Sequence, residues 1–332
     1  MDPLTQGVVG AVASQQPANR KNILVATILG FLSGLAPDLD IFIRSDKDPL
    51  LVLEFHRQFT HSLVFIPIGG LICATVFYYL FTKRNGFTFR KTYIFSTLGY
   101  ATHGLLDSCT SYGTQLFWPF TDSRISWNTI SIVDPLFTIP LLILILFTVI
   151  KNNKIFSRLA LSWIVIYCIF GFIQQDRAKD IAKKIALSRG HIATNVLVKP
   201  SLANLFVWKI IYSTDNYYYV DAVKIALKSK MYKGSKINKL NVEESFPWLD
   251  LNSQQAKDLE RFRWFSGDYL AISKKYPNRV IDIRYSILPN EIKGLWGIEL
   301  DQKANQTSHI KYIFNRERNS DNINILWNMI IK

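Results

Sequence analysis

Long apolar runs crowd the first 175 residues and alternate with short polar loops; beyond them apolar and polar positions mix as in an ordinary soluble chain. The run 61–82 (HSLVFIPIGGLICATVFYYLFT) is long and apolar enough to span a bilayer, and 135–150 and 157–173 approach the lower limit for a span. Two further runs, 22–36 and 91–109, are more polar. The opening stretch 3–16 (PLTQGVVGAVASQQ) is rich in small residues and predicts a tightly packed or partly inserted helix. The pattern predicts an α-helical polytopic membrane domain of about five to six helices over residues 1–174.

From residue 175 the pattern changes. QQDRAKDIAKKIALSRG (174–190) reads as an amphipathic helix ended by Gly190. NVLVKP, LFVWKIIYS, YYYVDAVKIAL, YLAIS, VIDIRYSIL and LWGIEL follow as strand-like stretches separated by turn residues, with no long helix expected between the later ones. Residues 175–332 are thus expected to form a soluble, mainly antiparallel α+β domain. The last stretch, 315–332, runs from polar to apolar and suggests no particular element.

Charge orients the membrane part. The chain has 332 residues and a net charge of +14, which suits an anionic membrane surface or nucleic acid. Loop 83–91 (KRNGFTFRK) is basic with no acid, as is loop 151–158, and Arg20 and Lys21 mark a third basic turn. These loops belong in the cytoplasm. Residues 174–332 then fall outside the cytoplasm, and nucleic acid is not an expected partner. Asp2 stands where a cleaved signal would carry positive charge. The three cysteines, Cys73, Cys109 and Cys168, are too few and scattered for a disulfide framework.

The same orientation gathers the unusual polar residues on the outer side. Asp38 and Asp40 follow one apolar run, His56 and His61 precede the next, and His103 and Asp107 lie in the outer half of 91–109. Asp134, Asp2 and Gln6 fall there too. His103 and Asp107, four apart, share one helix face. Imidazole and carboxylate so arranged suit Zn²⁺ or a similar divalent ion; a hydrogen-bonded pair locking helices together is the other reading. Asp38 and Asp40 either end a helix in a turn or supply at least one ligand. A continuous helix would set His56 and His61 about 140° apart. A break between them, with His61 opening the membrane helix and Thr60 capping it, would turn both inward. Arg57 suits an oxyanion or a lipid headgroup. Asp122 and Arg124 suit a lid or substrate contact, and Trp118 and Trp127 suit interface anchors. Asp134 before Pro135 fits an N-cap as well as a ligand. His191 and His309 stand apart from this group.

The stretches MDPLTQG, PDLD, HRQFTHS, THGLLDSCTSYGTQLFWPF and WNTISIVDPLFTIPL, in this order, resemble the YdjM-like family of membrane-bound, metal-dependent hydrolases. RGH, RFRWFS, DIRYS and LWGIEL resemble its long-tailed branch. The resemblance implies a bacterial inner-membrane protein with a divalent metal, Zn²⁺ first and Mn²⁺ next. The ligands it implies are Asp38, Asp40, His56, His61, His103 and Asp107. Some relatives have histidine where this chain has Gln6. The family has been linked to a phospholipase-like activity and to the LexA regulon.

Two function classes follow. In the first, the chain is a hydrolase: metal-activated water attacks a phospholipid or lipid-linked phosphodiester at the outer headgroup level, Asp38 or His56 takes the proton, and Arg57 holds the oxyanion. In the second, it is a non-enzymatic membrane protein. The cluster is then a structural metal site or a His–Asp helix clamp, and the outer domain binds a partner. Transport is a weaker third reading, because the ionisable residues crowd at one end of the spans instead of threading them.

Overall fold

The computed structural model describes residues 1–314 and 320–331. Its first helix, α1 (Pro3–Gln15), is capped by Asp2, whose carboxylate accepts from Thr5 N at 3.0 Å, and Pro3 sits in the first turn. α2 (Ile23–Leu35) runs on into a 3₁₀ segment, Ala36–Phe42. A short α3 (Leu51–Phe55) and a 3₁₀ turn, Phe59–His61, precede α4 (Ile66–Phe77). Then come α5 (Phe89–Ser108), α6 (Pro135–Ile150) and α7 (Lys154–Ser188).

Lipid tails are as apolar as leucine, so membrane helices associate through close packing of small residues. Gly10 of α1 faces Gly30 and Gly34 of α2, and a Cβ on Gly34 would lie 2.7 Å from the Gln6 carbonyl oxygen. Ser14 Oγ donates to Phe95 O of α5 at 2.6 Å. On the other side, Trp163 Nε1 and the Tyr167 hydroxyl of α7 donate to Phe137 O (3.2 Å) and Asp134 Oδ2 (2.8 Å) at the start of α6.

Among the described residues, two helical stretches are long and apolar enough to cross a bilayer: Ile23–Phe42 and Lys154–Ser188. A third counts if Leu51–His61 and Ile66–Thr82 form one broken span. The expected five to six membrane helices exceed this number. α1 has 13 residues and α6 has 16, short of the roughly 20 a span needs, and α5 carries Arg90, Lys91, His103 and Asp107. The run 61–82 is not one helix either. His61 ends the 3₁₀ turn, α4 begins only at Ile66 with no side-chain cap, and Thr60 caps nothing. The span 157–173 and the amphipathic helix 174–190 are instead a single helix of 35 residues, about 52 Å long. No proline interrupts it, and it ends just before Gly190, which takes a φ of +71°.

The chain divides into two compact units. One comprises Met1–Phe42, Phe55–Ile173 and Leu202–Asn204; the other comprises Ile43–Glu54, Gln174–Ser201 and Leu205–Lys332. Segment 43–54 joins the second unit through Arg261, whose guanidinium pairs with both Asp48 oxygens (3.0 and 2.8 Å) and with Glu54.

The second unit carries two antiparallel four-stranded sheets, each a simple meander. The first is β1 (Asn195–Pro200), β2 (Val207–Ser213), β3 (Tyr217–Ile225) and β4 (Ser229–Asn238). The second is β5 (Leu270–Ile272), β6 (Arg279–Asp282), β7 (Trp296–Glu299) and β8 (Lys311–Phe314). β2 is buried along its whole length, and Ile211 and Val220 pair in register and share a core with Ala271, Ile281 and Ile283. A bulge at Asp221 turns that carboxylate toward Arg189, which holds it through two hydrogen bonds of 2.7 and 3.0 Å. Contrary to the expectation of no long helix here, α9 (Gln254–Ser266) follows a short α8 (Val242–Ser245). Ser253 caps α9, Gly267 ends it in the left-handed region, and Leu259, Phe262 and Phe265 are its buried face. The chain closes with α10 (Ser320–Ile331).

Lys209 of β2 is buried and donates to Ser286 Oγ and Glu291 O, both at 2.8 Å. Burial pulls its pKa down to about 7, against the opposing pull of Asp282 and Glu291. The unfolded chain, with a lysine pKa near 10.4, binds more protons than the folded one between about pH 7 and 10. Stability should therefore rise with pH across that window. We expect chemical unfolding of the second unit to show a gain of about 2 kcal/mol from pH 7 to 9, and Lys209→Met to flatten that slope.

Candidate metal centre

Four element ends within the first unit converge on one site. The 3₁₀ segment after α2 brings Asp38 and Asp40, the turn before α4 brings Arg57 and His61, α5 brings His103 and Asp107, and α1 brings Gln6. His61, His103 and Asp107 are buried, and Asp38 is the partly exposed member. One donor atom from each of Asp38, His61, His103 and Asp107 lies within 4.8 Å of the other three.

The separations are specific. Asp38 Oδ1 lies 3.4 Å from His61 Nε2 and 3.3 Å from His103 Nε2. Asp107 Oδ2 lies 3.5 and 3.8 Å from the same two nitrogens. Four ligands at 2.0–2.2 Å around a tetrahedral ion stand about 3.3–3.6 Å apart, so these spacings match a divalent centre.

Tautomers follow from the second contact of each imidazole. His103 Nδ1 meets the Gly34 carbonyl oxygen at 2.6 Å, an acceptor, so Nδ1 carries the proton. His61 Nδ1 lies 3.2 Å from Asp40 Oδ2, again an acceptor. In the neutral rings both Nε2 atoms therefore present lone pairs to the two carboxylates. His61 Nε2, His103 Nε2 and Asp107 Oδ2 are buried without a hydrogen-bond partner, because the short approaches are not aligned for one. Lone pairs and anions held face to face at 3.3–3.8 Å repel unless a proton on one Nε2 or a metal cation lies between them, and the spacing of the four donors fits a bound divalent ion.

Around this group most polar contacts are filled, while Arg57 Nε and Gln6 Oε1 are buried without a hydrogen bond. Asp40 Oδ2 accepts from Arg57 N (3.1 Å) and Thr60 Oγ1 (2.7 Å), and Asp40 Oδ1 meets His56 Nδ1 at 2.7 Å. Arg57, held at φ +68°, sets its Nε 3.0 Å from Asp107 Oδ2 and stacks over Tyr112. Asp107 Oδ1 accepts from Gln6 Nε2 at 2.9 Å and from the Met1 amino group. A metal ligand usually has its orientation set by such outer partners.

All six sequence-expected acids and imidazoles meet here, together with Arg57. Asp38, Asp40 and His56 also form a triplet that could hold an ion, sharing Asp38 with the first. Asp2 and Asp134 lie at helix starts instead. Asp134 caps α6, accepting from Phe137 N at 3.4 Å. Arg124 NH2 donates to Gly113 O at 3.0 Å. Sequence reasoning missed Thr60 as a donor to Asp40 and the Gly34 carbonyl as the anchor of His103. A third triplet, Asp48, Asp258 and His309, lies in the second unit. There the Arg261 guanidinium already fills the space between Asp48 and Asp258.

Gly104, next to His103, has no room for a Cβ: one would overlap the His61 carbonyl oxygen. Gly104→Ala should therefore push α5 from the His61 turn. The expected loss is about 1–3 kcal/mol, read as a lower thermal midpoint in detergent.

The fold and this cluster define an integral membrane protein with His and Asp groups that could bind a metal. The model of the YdjM inner membrane protein family matches residues 1–178, more than half of the chain, and the chain belongs to that family. It is 23% identical over 279 residues to "Uncharacterized protein YfhP" of Bacillus subtilis (strain 168), covering 82% of this chain and 80% of that protein. It is 30% identical over 109 residues to "Inner membrane protein YbcI" of Escherichia coli (strain K12), covering 31% of this chain and 60% of that one. No solved structure matches the chain.

Proposed function

We propose that the chain is a membrane-bound, metal-dependent hydrolase whose ion, Zn²⁺ first and Mn²⁺ next, is held by Asp38, His61, His103 and Asp107. The observation that carries this reading is the convergence of three buried donor atoms without hydrogen bonds on Asp38 Oδ1. A divalent ion there supplies Lewis acidity and draws the pKa of a water toward neutrality. Asp40 fixes the His61 tautomer and holds the His56 ring. His56, about 29% exposed, is placed to take and release a proton. Arg57 balances the charge of Asp107 and offers its guanidinium to a phosphate oxygen. Asp38 is the accessible edge through which substrate enters.

A lipid phosphodiester is the substrate class this reading favours. The basic loops around Arg20, Arg84 and Lys151 support a multi-pass topology of five to six helices in the inner membrane, including short or broken ones. With those loops cytoplasmic, the cluster lies at the outer headgroup level and residues 174–332 are extracytoplasmic.

One observation favours a second reading. Four protein donors complete a tetrahedral set, and structural sites are closed whereas catalytic ones keep a position open. The two readings separate in one experiment. Protein purified in detergent is analysed for metal, returned to phospholipid nanodiscs, and assayed for lipid hydrolysis with and without chelator. The hydrolase reading expects stoichiometric metal and chelator-sensitive hydrolysis. It also expects His56→Gln to slow the reaction about a hundred-fold with metal content unchanged. Metal without hydrolysis assigns a structural site, and no metal sinks both readings.

A further inference from the structure

The second unit carries an apolar surface that its own core does not use. Ile323, Trp327 and Ile331 of α10 recur every four residues and so share one helix face, and they are 64%, 60% and 60% exposed. The neighbouring face turns Leu326 and Met329 inward, with Met329 against Val207 and Ala222. α10 is fastened to the β3–β4 hairpin: Tyr232 OH donates to Met329 O at 3.2 Å, and Lys224 Nζ to Ile331 O at 3.0 Å. Three residues beyond Lys224 stands Leu227, the hairpin tip, with its side chain fully exposed. Lys228 and Lys230 follow it, both exposed.

A second set of bonds fixes where this tip lies along α7. Gln174 Nε2 donates to Leu205 O and Ile225 O, each at 3.1 Å. Arg177 NH2 donates to Ala226 O at 2.7 Å, the residue before Leu227. Gln174 is also the residue at which the apolar run of α7 gives way to polar sequence. The tip is thus tied to the turn of α7 at which its apolar run ends. An exposed leucine, a tryptophan and flanking lysines at that level are what an interfacial anchor uses.

We propose that the β3–β4 tip and the outer stripe of α10 form an interfacial anchor that seats the second unit on an anionic bilayer surface. Leu227, Trp327 and Ile331 enter the boundary between headgroups and acyl chains. Lys228 and Lys230 meet the anionic headgroups. The anchor depends on the chain crossing the membrane and not on the metal centre or its chemistry.

The test uses the full chain in nanodiscs of phosphatidylcholine alone or with phosphatidylglycerol, reading trypsin cleavage after Lys228 and Lys230. Cleavage should be about ten-fold slower in the anionic discs, and salt at about 0.5 M should erase most of the difference. Leu227→Asp, at an exposed position that leaves the core intact, should be cut at nearly equal rates in both. A shallow brominated phospholipid should quench a fluorescence component that Trp327→Phe lacks. Equal cleavage of the unaltered chain in both lipids overturns the proposal. So does protection that appears only in discs holding two copies, which would assign the face to self-association.

Discussion

His103→Ala protein, purified in detergent, is expected to lose its divalent metal, with affinity falling by more than the 10–100-fold typical for loss of an outer-shell partner. On the proposed reading the ring supplies one of four donors, and its Nε2 lies 3.3 Å from Asp38 Oδ1 and 3.8 Å from Asp107 Oδ2. Alanine removes that donor and leaves two carboxylates facing each other across a cavity. The Gly34 carbonyl also loses its partner. Elemental analysis of variant and parent, purified side by side, checks the outcome. His103→Gln separates ligation from packing, because it fills most of the space while offering a much poorer donor, and it should lose metal nearly as completely. Full retention of metal by either variant would remove His103 from the ligand set.

Asp40→Ala should weaken metal binding by about 10–100-fold without abolishing it. Asp40 touches four groups: His56 Nδ1, Arg57 N, Thr60 Oγ1 and His61 Nδ1. Removing it frees the His61 ring and leaves the backbone N–H of Arg57 without its acceptor. Asp40→Asn keeps one acceptor oxygen and should recover part of the affinity. Asp38→Ala, by contrast, removes a carboxylate oxygen that faces both Nε2 atoms and should act like His103→Ala. Competition with a chromophoric chelator ranks the three variants. If Asp40→Ala proves as damaging as Asp38→Ala, then Asp40 is a direct ligand.

Much of this arrangement was legible in the chain. The i, i+4 pair His103 and Asp107 sat in an apolar helix where ionisable groups are expensive, and the basic loops sorted the remaining acids and imidazoles to the same end. Among the described residues, six of the eight strands matched stretches that looked like strands. β4 escaped because it is an edge strand rich in exposed lysines, with no alternation to betray it. α9 was overlooked although its ends were written plainly, with Ser253 before it and Gly267 after it. Length and composition by themselves qualify only two helical stretches as spans, or three with the broken pair, because apolar composition alone does not tell a full span from a short helix packed beside one. The break before Ile66 coincides with Pro67 in the first turn of α4, which has no N–H to carry a helix on from Leu63, a local signal that the apolar run 61–82 masked.

The order of apolar runs and basic loops, the residue types available as ligands and the strand-rich tail are properties of the chain itself, since each rests on local composition and spacing. Tertiary structure alone decided which oxygen of Asp107 faces the imidazoles, which nitrogen of His61 and His103 is left bare, and that residues 43–54 pack with the second unit. Those outcomes depend on contacts between positions far apart in sequence, such as Gly34 O with His103 Nδ1 and Asp48 with Arg261. No periodicity encodes such meetings. They are settled when backbones approach closely at Gly34 and Gly104 and each buried polar atom must find a partner.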